Sequence, residues 1–95
     1  MTARSQATKG SIERKLKSDL HAIHVEVEDE TWKHAGHAGA VTGGGHFTVL
    51  VVSPRFEGLN SLDRRRLVFN VLQSEMQGEI HALTVRAIPS NEWTP

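Results

Sequence analysis

The run His46-Phe47-Thr48-Val49-Leu50-Val51-Val52 decides how this chain folds. It is apolar and largely β-branched, as expected of a central strand flanked by neighbours rather than one at the rim of a sheet. Upstream, Ile23, Val25 and Val27 alternate with His24, Glu26 and Glu28, the pattern of a strand with one wet face. Downstream, Ala82 to Ile88 forms a last strand, closed by Pro89. Between these strands, Asn60 caps a long helix that carries Leu62, Phe69, Leu72 and Met76 on its buried face and ends at Gly78. Ahead of them all, Ser11 caps a helix through Leu20, with Ile12, Leu16 and Leu20 on one face.

The order is therefore helix, strand, strand, helix, strand, an α+β class. A loop joins the first two strands, so they pair antiparallel. The third follows a helical crossover, which makes it parallel to a strand of the same sheet and the crossover right-handed. The expected product is a three-stranded mixed sheet with helices packed on one face, and Trp93 docking the tail.

At 95 residues the chain forms one small domain. The division expected is a flexible tail over residues 1–10 and a folded domain over residues 11–95. The tail carries arginine, lysine, serine and threonine without acids, and it lacks the apolar core of a secretory signal. No apolar run approaches the ~20 residues of a membrane span. Lysine plus arginine and aspartate plus glutamate both number 11. That balance argues against retention on nucleic acid by overall charge and leaves a local basic patch open. There is no cysteine, which excludes disulfides and fits a reducing compartment.

Without thiols, any metal chemistry falls to imidazole. Two regions offer it: His81, leading the last strand, and His34-Ala35-Gly36-His37 in the glycine-rich loop from Glu30 to Gly45. A neutral imidazole gives one nitrogen to a metal while the other donates to a carbonyl. His34, His37 and His81 together also make a chemically sensible zinc site with an open water position. The plainer alternatives are a strand-edge histidine held by a hydrogen bond and a loop with incidental histidines. Gly36-His37-Ala38-Gly39 has the spacing of a backbone-clamping loop but joins two strands where such a loop joins helices. The basic run Arg64-Arg65-Arg66 sits early in a helix, where the macrodipole favours acids, so its purpose is not obviously structural. It suits phosphate, or a carboxylate-rich partner surface, with Asp63 and Glu57 near enough to pair with it. No nucleophile–base arrangement or pair of placed carboxylates argues for an enzyme.

Several stretches resemble the BolA-like family. They are Val25-Glu26-Val27-Glu28-Asp29-Glu30-Thr31, His34-Ala35-Gly36-His37, His46-Phe47, Val52-Ser53, Phe56-Glu57-Gly58, Arg64-Arg65-Arg66-Leu67-Val68-Phe69 and His81-Ala82-Leu83. Their order and spacing carry the resemblance from roughly Ser11 to Trp93. The resemblance implies an α-β-β-α-β fold similar to a type II K-homology domain. It also implies a partner of monothiol glutaredoxins that forms heterodimers, apo or bridged by a [2Fe–2S] cluster shared with the glutaredoxin and glutathione. The implied roles are iron–sulfur cluster delivery and iron sensing, in the cytoplasm or in the mitochondrial matrix of a eukaryote. The implied ligands are His81 and a loop histidine, with His34 the closest positional match and His37 the next. The alternative implied role is a DNA-binding transcriptional regulator, here through Arg64, Arg65 and Arg66. The family usually has Arg-His-Arg where this chain has three arginines.

Overall fold

The computed structural model describes residues 3–30 and 45–94. Its element order is α1 (Ala3–Asp19), β1 (His24–Asp29), β2 (Gly45–Ser53), α2 (Ser61–Val71), α3 (Gln73–Met76) and β3 (Ile80–Pro89). Short 3₁₀ turns follow β2 at Pro54–Phe56 and β3 at Ser90–Glu92.

The sheet has the order β1-β2-β3, with β1 antiparallel and β3 parallel to β2. The expected α+β architecture is thus the one found, with the apolar run His46–Val52 at the centre. Side-chain alternation divides the sheet into two faces. Val27 of β1, Phe47, Val49 and Val51 of β2 and Leu83 of β3 join Ile12 and Leu16 of α1, Leu20 just past its end, Val68 of α2 and Leu72 between α2 and α3 in one buried cluster. The helices therefore lie on one face. Each fully buried aliphatic side chain in that cluster contributes roughly 1.5–3 kcal/mol of transfer free energy. On the open face, Val52 pairs across the ladders with His24 and Ile88. The Trp93 ring stacks on His24 at 5.1 Å and 20°, so the tail does dock through Trp93, and Val52 beneath that corner is fully buried.

Local chemistry explains the turns. Asn60 caps α2 by accepting from the Asp63 amide at 2.8 Å. Ser53 ends β2 and caps the following turn by accepting from the Arg55 amide, while its hydroxyl donates to the Leu20 carbonyl. That pair fastens the end of β2 to the end of α1. Gly58 has φ +80°, a left-handed conformation that favours glycine before the chain enters α2.

Five expectations are corrected. The first helix begins at Ala3 rather than Ser11, so it runs through most of the segment expected as a tail. Ser11 is not its cap: the hydroxyl instead donates to Glu75, 64 positions away in sequence, at 2.8 Å. Ile23 precedes β1 and is 62% exposed, because the chain turns at His21, whose φ is 51°. Leu62 is 56% exposed: it belongs to the first turn of α2, and the buried stripe is Val68, Leu72 and Glu75, spaced by four and three. The expected single helix from Asn60 to Gly78 is divided at Leu72, which lies between α2 and α3.

Glu75 is a buried carboxylate on that stripe, 4% exposed. It faces α1, where Lys15 Nζ lies 2.9 Å from Oε1 and the Ser11 hydroxyl 2.8 Å from Oε2. Burial alone would raise its pKa, but the hydrogen bonds from Lys15 and Ser11 and the lysine charge together hold it below the ordinary carboxylate value.

Candidate functional site

His81 is the second residue of β3 and is exposed. The ladder around it is irregular. Gly45 pairs with Ile80 and His46 with Ala82, so His81 is an extra residue with no opposite number on β2. This is a bulge, the device by which a strand re-aims a side chain without losing its register on either side. Ile80 and Leu83 remain in the core on either side of it, so the strand is anchored on both flanks of His81 while its ring meets solvent.

Glu30 and Gly45, the described residues that flank the segment carrying His34 and His37, are fastened at the same corner. The Glu30 amide donates to the His46 carbonyl at 2.8 Å, and the Gly45 amide donates to the Glu79 carbonyl at 3.1 Å. The Thr48 hydroxyl also donates to Glu30 Oε1, at 2.5 Å. Gly45, the first described residue after that segment, is paired with the residue preceding His81. His34 and His37 themselves, and the Gly36–Gly39 spacing, lie outside the described residues. Among the described residues no three metal-ligating side chains cluster, so the zinc arrangement expected from His34, His37 and His81 rests on the same undescribed loop.

The remaining histidines fall elsewhere. His46 is half-buried on the open face, with Nε2 3.5 Å from the Thr84 hydroxyl. His24 is 2.6 Å from Glu26 Oε2 and stacked by Trp93. Neither joins His81 in a donor set shown by the described residues.

The arginine run does not act as one patch. Arg64 is tied down by Nε donation to the Leu59 carbonyl at 2.8 Å, with Glu92 3.8 Å from its terminal nitrogen. Arg65 lies over the Phe69 ring at 5.1 Å, a cation–π contact. Arg66 reaches Asp63 at 3.7 Å. Glu57, expected as a partner of the run, accepts from the Ser90 hydroxyl instead. Arg86 of β3 was not among the expected site residues, yet it lines a groove with Arg64 and Arg65. Its signal was present in the alternation Thr84, Arg86, Ile88, which places a cation on the open face of the last strand. The bulge at His81 left no comparable trace, because it is a property of two paired strands.

Similarity to known proteins bears on this arrangement. The model of a family described as BolA-like protein matches residues 16–92. BolA-like protein 1 of Mus musculus is 38% identical over 92 residues, covering 97% of this chain and 65% of that protein. The DNA-binding transcriptional regulator BolA of Escherichia coli strain K12 is 35% identical over 82 residues, covering 86% of this chain and 75% of that one. In structure, the BolA domain of SufE1 from Arabidopsis thaliana superposes with a TM-score of 0.78 at 33% identity, covering 98% of this chain and 99% of that domain. The chain spans less than two thirds of several curated relatives it matches, down to 22% of SufE-like protein 1. No helix among the described residues is long and apolar enough to cross a membrane.

Proposed function

The chain belongs to the BolA-like family, and on that premise we propose that it is the partner of a monothiol glutaredoxin. In this reading it lends two histidines to a [2Fe–2S] cluster shared with the glutaredoxin and glutathione, for cluster delivery or iron sensing. The observation that carries the reading is His81: an exposed imidazole on a bulge, held by Ile80 and Leu83, beside the anchors of a histidine-bearing loop. The donor chemistry fits, since imidazole is a ligand for iron and a cysteine-free chain has no thiolate to offer.

His81 and either His34 or His37 would hold the cluster from this side. Histidine ligation raises the potential of a [2Fe–2S] centre above that of an all-cysteine one. What the protein supplies is an exposed imidazole nitrogen on a strand anchored by Ile80 and Leu83. Such a site binds and hands over, without turnover, and the cysteine-free composition suits a reducing cytoplasm or mitochondrial matrix.

The test is co-expression with a monothiol glutaredoxin, purification of the complex, and its visible absorption and circular dichroism spectra. A heterodimer whose spectrum differs from that of the glutaredoxin homodimer supports the proposal. Failure to form any complex, apo or cluster-bound, overturns it.

A second reading is a DNA-binding regulator. It is favoured by the name of the Escherichia coli relative and by the arginine run. Neutral net charge counts against it.

A further inference from the structure

β3 is an edge strand: β2 lies on one side of it, and no strand lies on the other among the described residues. The outer side of a parallel edge strand presents N–H and C=O groups from alternate residues, a template for one more strand. Near its C-terminal end, that edge forms one wall of a groove of about 300 Å³. The opposite wall is the start of α2, and Ser61, Arg64, Arg65 and Arg86 line the space.

We propose that this groove receives an extended acidic peptide segment as a fourth strand, paired to β3 at residues 85–88 and neutralised by Arg64, Arg65 and Arg86. The edge and the charge each contribute to the choice of occupant. A strand edge needs donors and acceptors in alternation, and a peptide backbone supplies both. A nucleic-acid backbone is rich in acceptors and poor in donors, so it would leave the β3 carbonyls without partners. The cations are divided between the sheet's two faces. Arg86 shares the open face with Leu50, its partner in the ladder, whereas Arg64 and Arg65 stand on the helix side. An added strand points successive side chains to opposite faces. The ligand therefore carries acids at neighbouring positions, one for each side.

The site is ready to receive such a ligand. The bond from Arg64 to the Leu59 carbonyl and the packing of Arg65 on Phe69 fix both side chains before anything binds. The Glu92 carboxylate, 3.8 Å from Arg64, shows that an acid can stand on that side of the groove. Glu92 on that side, and Glu26 and Glu28 beside Arg86 on the open face, are the acids a ligand would have to compete with. The proposal does not rest on the cluster. At about 3.3 Å per residue, residue 86 lies roughly 16 Å along the strand from His81.

The probe is the peptide acetyl-TVEEVT-amide, titrated into the ¹⁵N-labelled full chain at about 0.15 M salt. Amide shifts and slowed hydrogen exchange at residues 84–88, with Arg64 and Arg65 side-chain shifts, are the expected result. Arg65→Glu combined with Arg86→Glu should weaken binding at least roughly tenfold, equivalent to about 1.4 kcal/mol. The charge-swapped acetyl-TVKKVT-amide should bind that variant and not the parent. Both substituted side chains are exposed, and recovery by the swapped peptide confirms that the variant is folded. Two peptides N-methylated at alternate residues, one at the odd and one at the even positions, should bind unequally, and equal binding by both would overturn the added strand. Tighter binding of a single-stranded oligonucleotide to the same residues would overturn the peptide as occupant.

Discussion

Lys15 and Glu75 sit 60 residues apart in sequence and meet at 2.9 Å, tying the first helix to the end of the second helical segment. Ser11 adds a second bond to the same carboxylate. The folded-state pKa of Glu75 lies below its ordinary value. A carboxyl whose pKa is depressed by folding stabilises the native state above its unfolded pKa, and that contribution disappears as pH falls through the folded value.

The first prediction follows from that sign. Glu75→Gln should cost about 1–2 kcal/mol at neutral pH, because a half-exposed lysine loses its partner and only neutral bonds remain. In acid, below the lowered pKa, the parent and the variant should converge. Urea midpoints followed from about pH 7 downward into acid would trace the gap and its closure. A gap that stays constant throughout the acid range would mean that packing, rather than the ion pair, makes the difference.

The second concerns His81. His81→Ala should leave stability within about 0.5 kcal/mol of the parent, as for an exposed position outside the core. It should also remove the histidine-ligated signature from the visible circular dichroism of the glutaredoxin complex. Thermal melts of the free protein separate the two effects. An unchanged spectrum would remove His81 from the ligand set.

The third compares the loop histidines. His34→Ala should weaken cluster retention more than His37→Ala, measured by loss of the complex's visible absorbance against a chelator. The reverse order would move the assignment by three positions, and no effect from either would take the loop out of the site.

Two glycines give a fourth prediction, of opposite signs. A Cβ on Gly10, inside α1, would meet only the Arg14 guanidinium at 3.2 Å, the end of a flexible chain. Gly10→Ala should therefore stabilise by about 0.5–1 kcal/mol. Gly58→Ala places a side chain at φ +80° and should destabilise by about 1–2 kcal/mol. Paired denaturation curves decide both signs.

The last prediction separates the two functional readings. Binding to nonspecific duplex DNA should be weak, in the range of about 10⁻⁴–10⁻⁶ M. Its log–log salt slope should be no steeper than roughly −3, since each phosphate contact adds about −0.9 and the run offers three arginines. Nanomolar binding to a defined site at about 0.15 M salt would favour the regulator instead.

Much of the fold was legible because its determinants are local. Alternation in β1, the apolar run of β2, the Asn60 cap and the Pro89 stop each depend on a few neighbouring residues. The failures share a different cause. Ser11 looks like a helix cap until Glu75 is brought against it from the far end of the chain. Leu62 fits a helical stripe until the sheet selects Val68 and Leu72. His81 was legible as a candidate through the family motif, whereas its bulge exists only in the pairing of β2 with β3. Arg86 gained meaning only when the fold set it across a groove from Arg64.

That bulge also bears on how the sequence tolerates changes of length. Because Gly45–Ile80 and His46–Ala82 are successive rungs, excising residue 81 would leave an uninterrupted ladder, with Leu83 still inward and Thr84 still outward. A deletion in the regular part of β3 would turn every side chain on one side of the cut to the wrong face. The candidate ligand thus occupies a removable position, a place in the strand on which the register of the sheet does not depend.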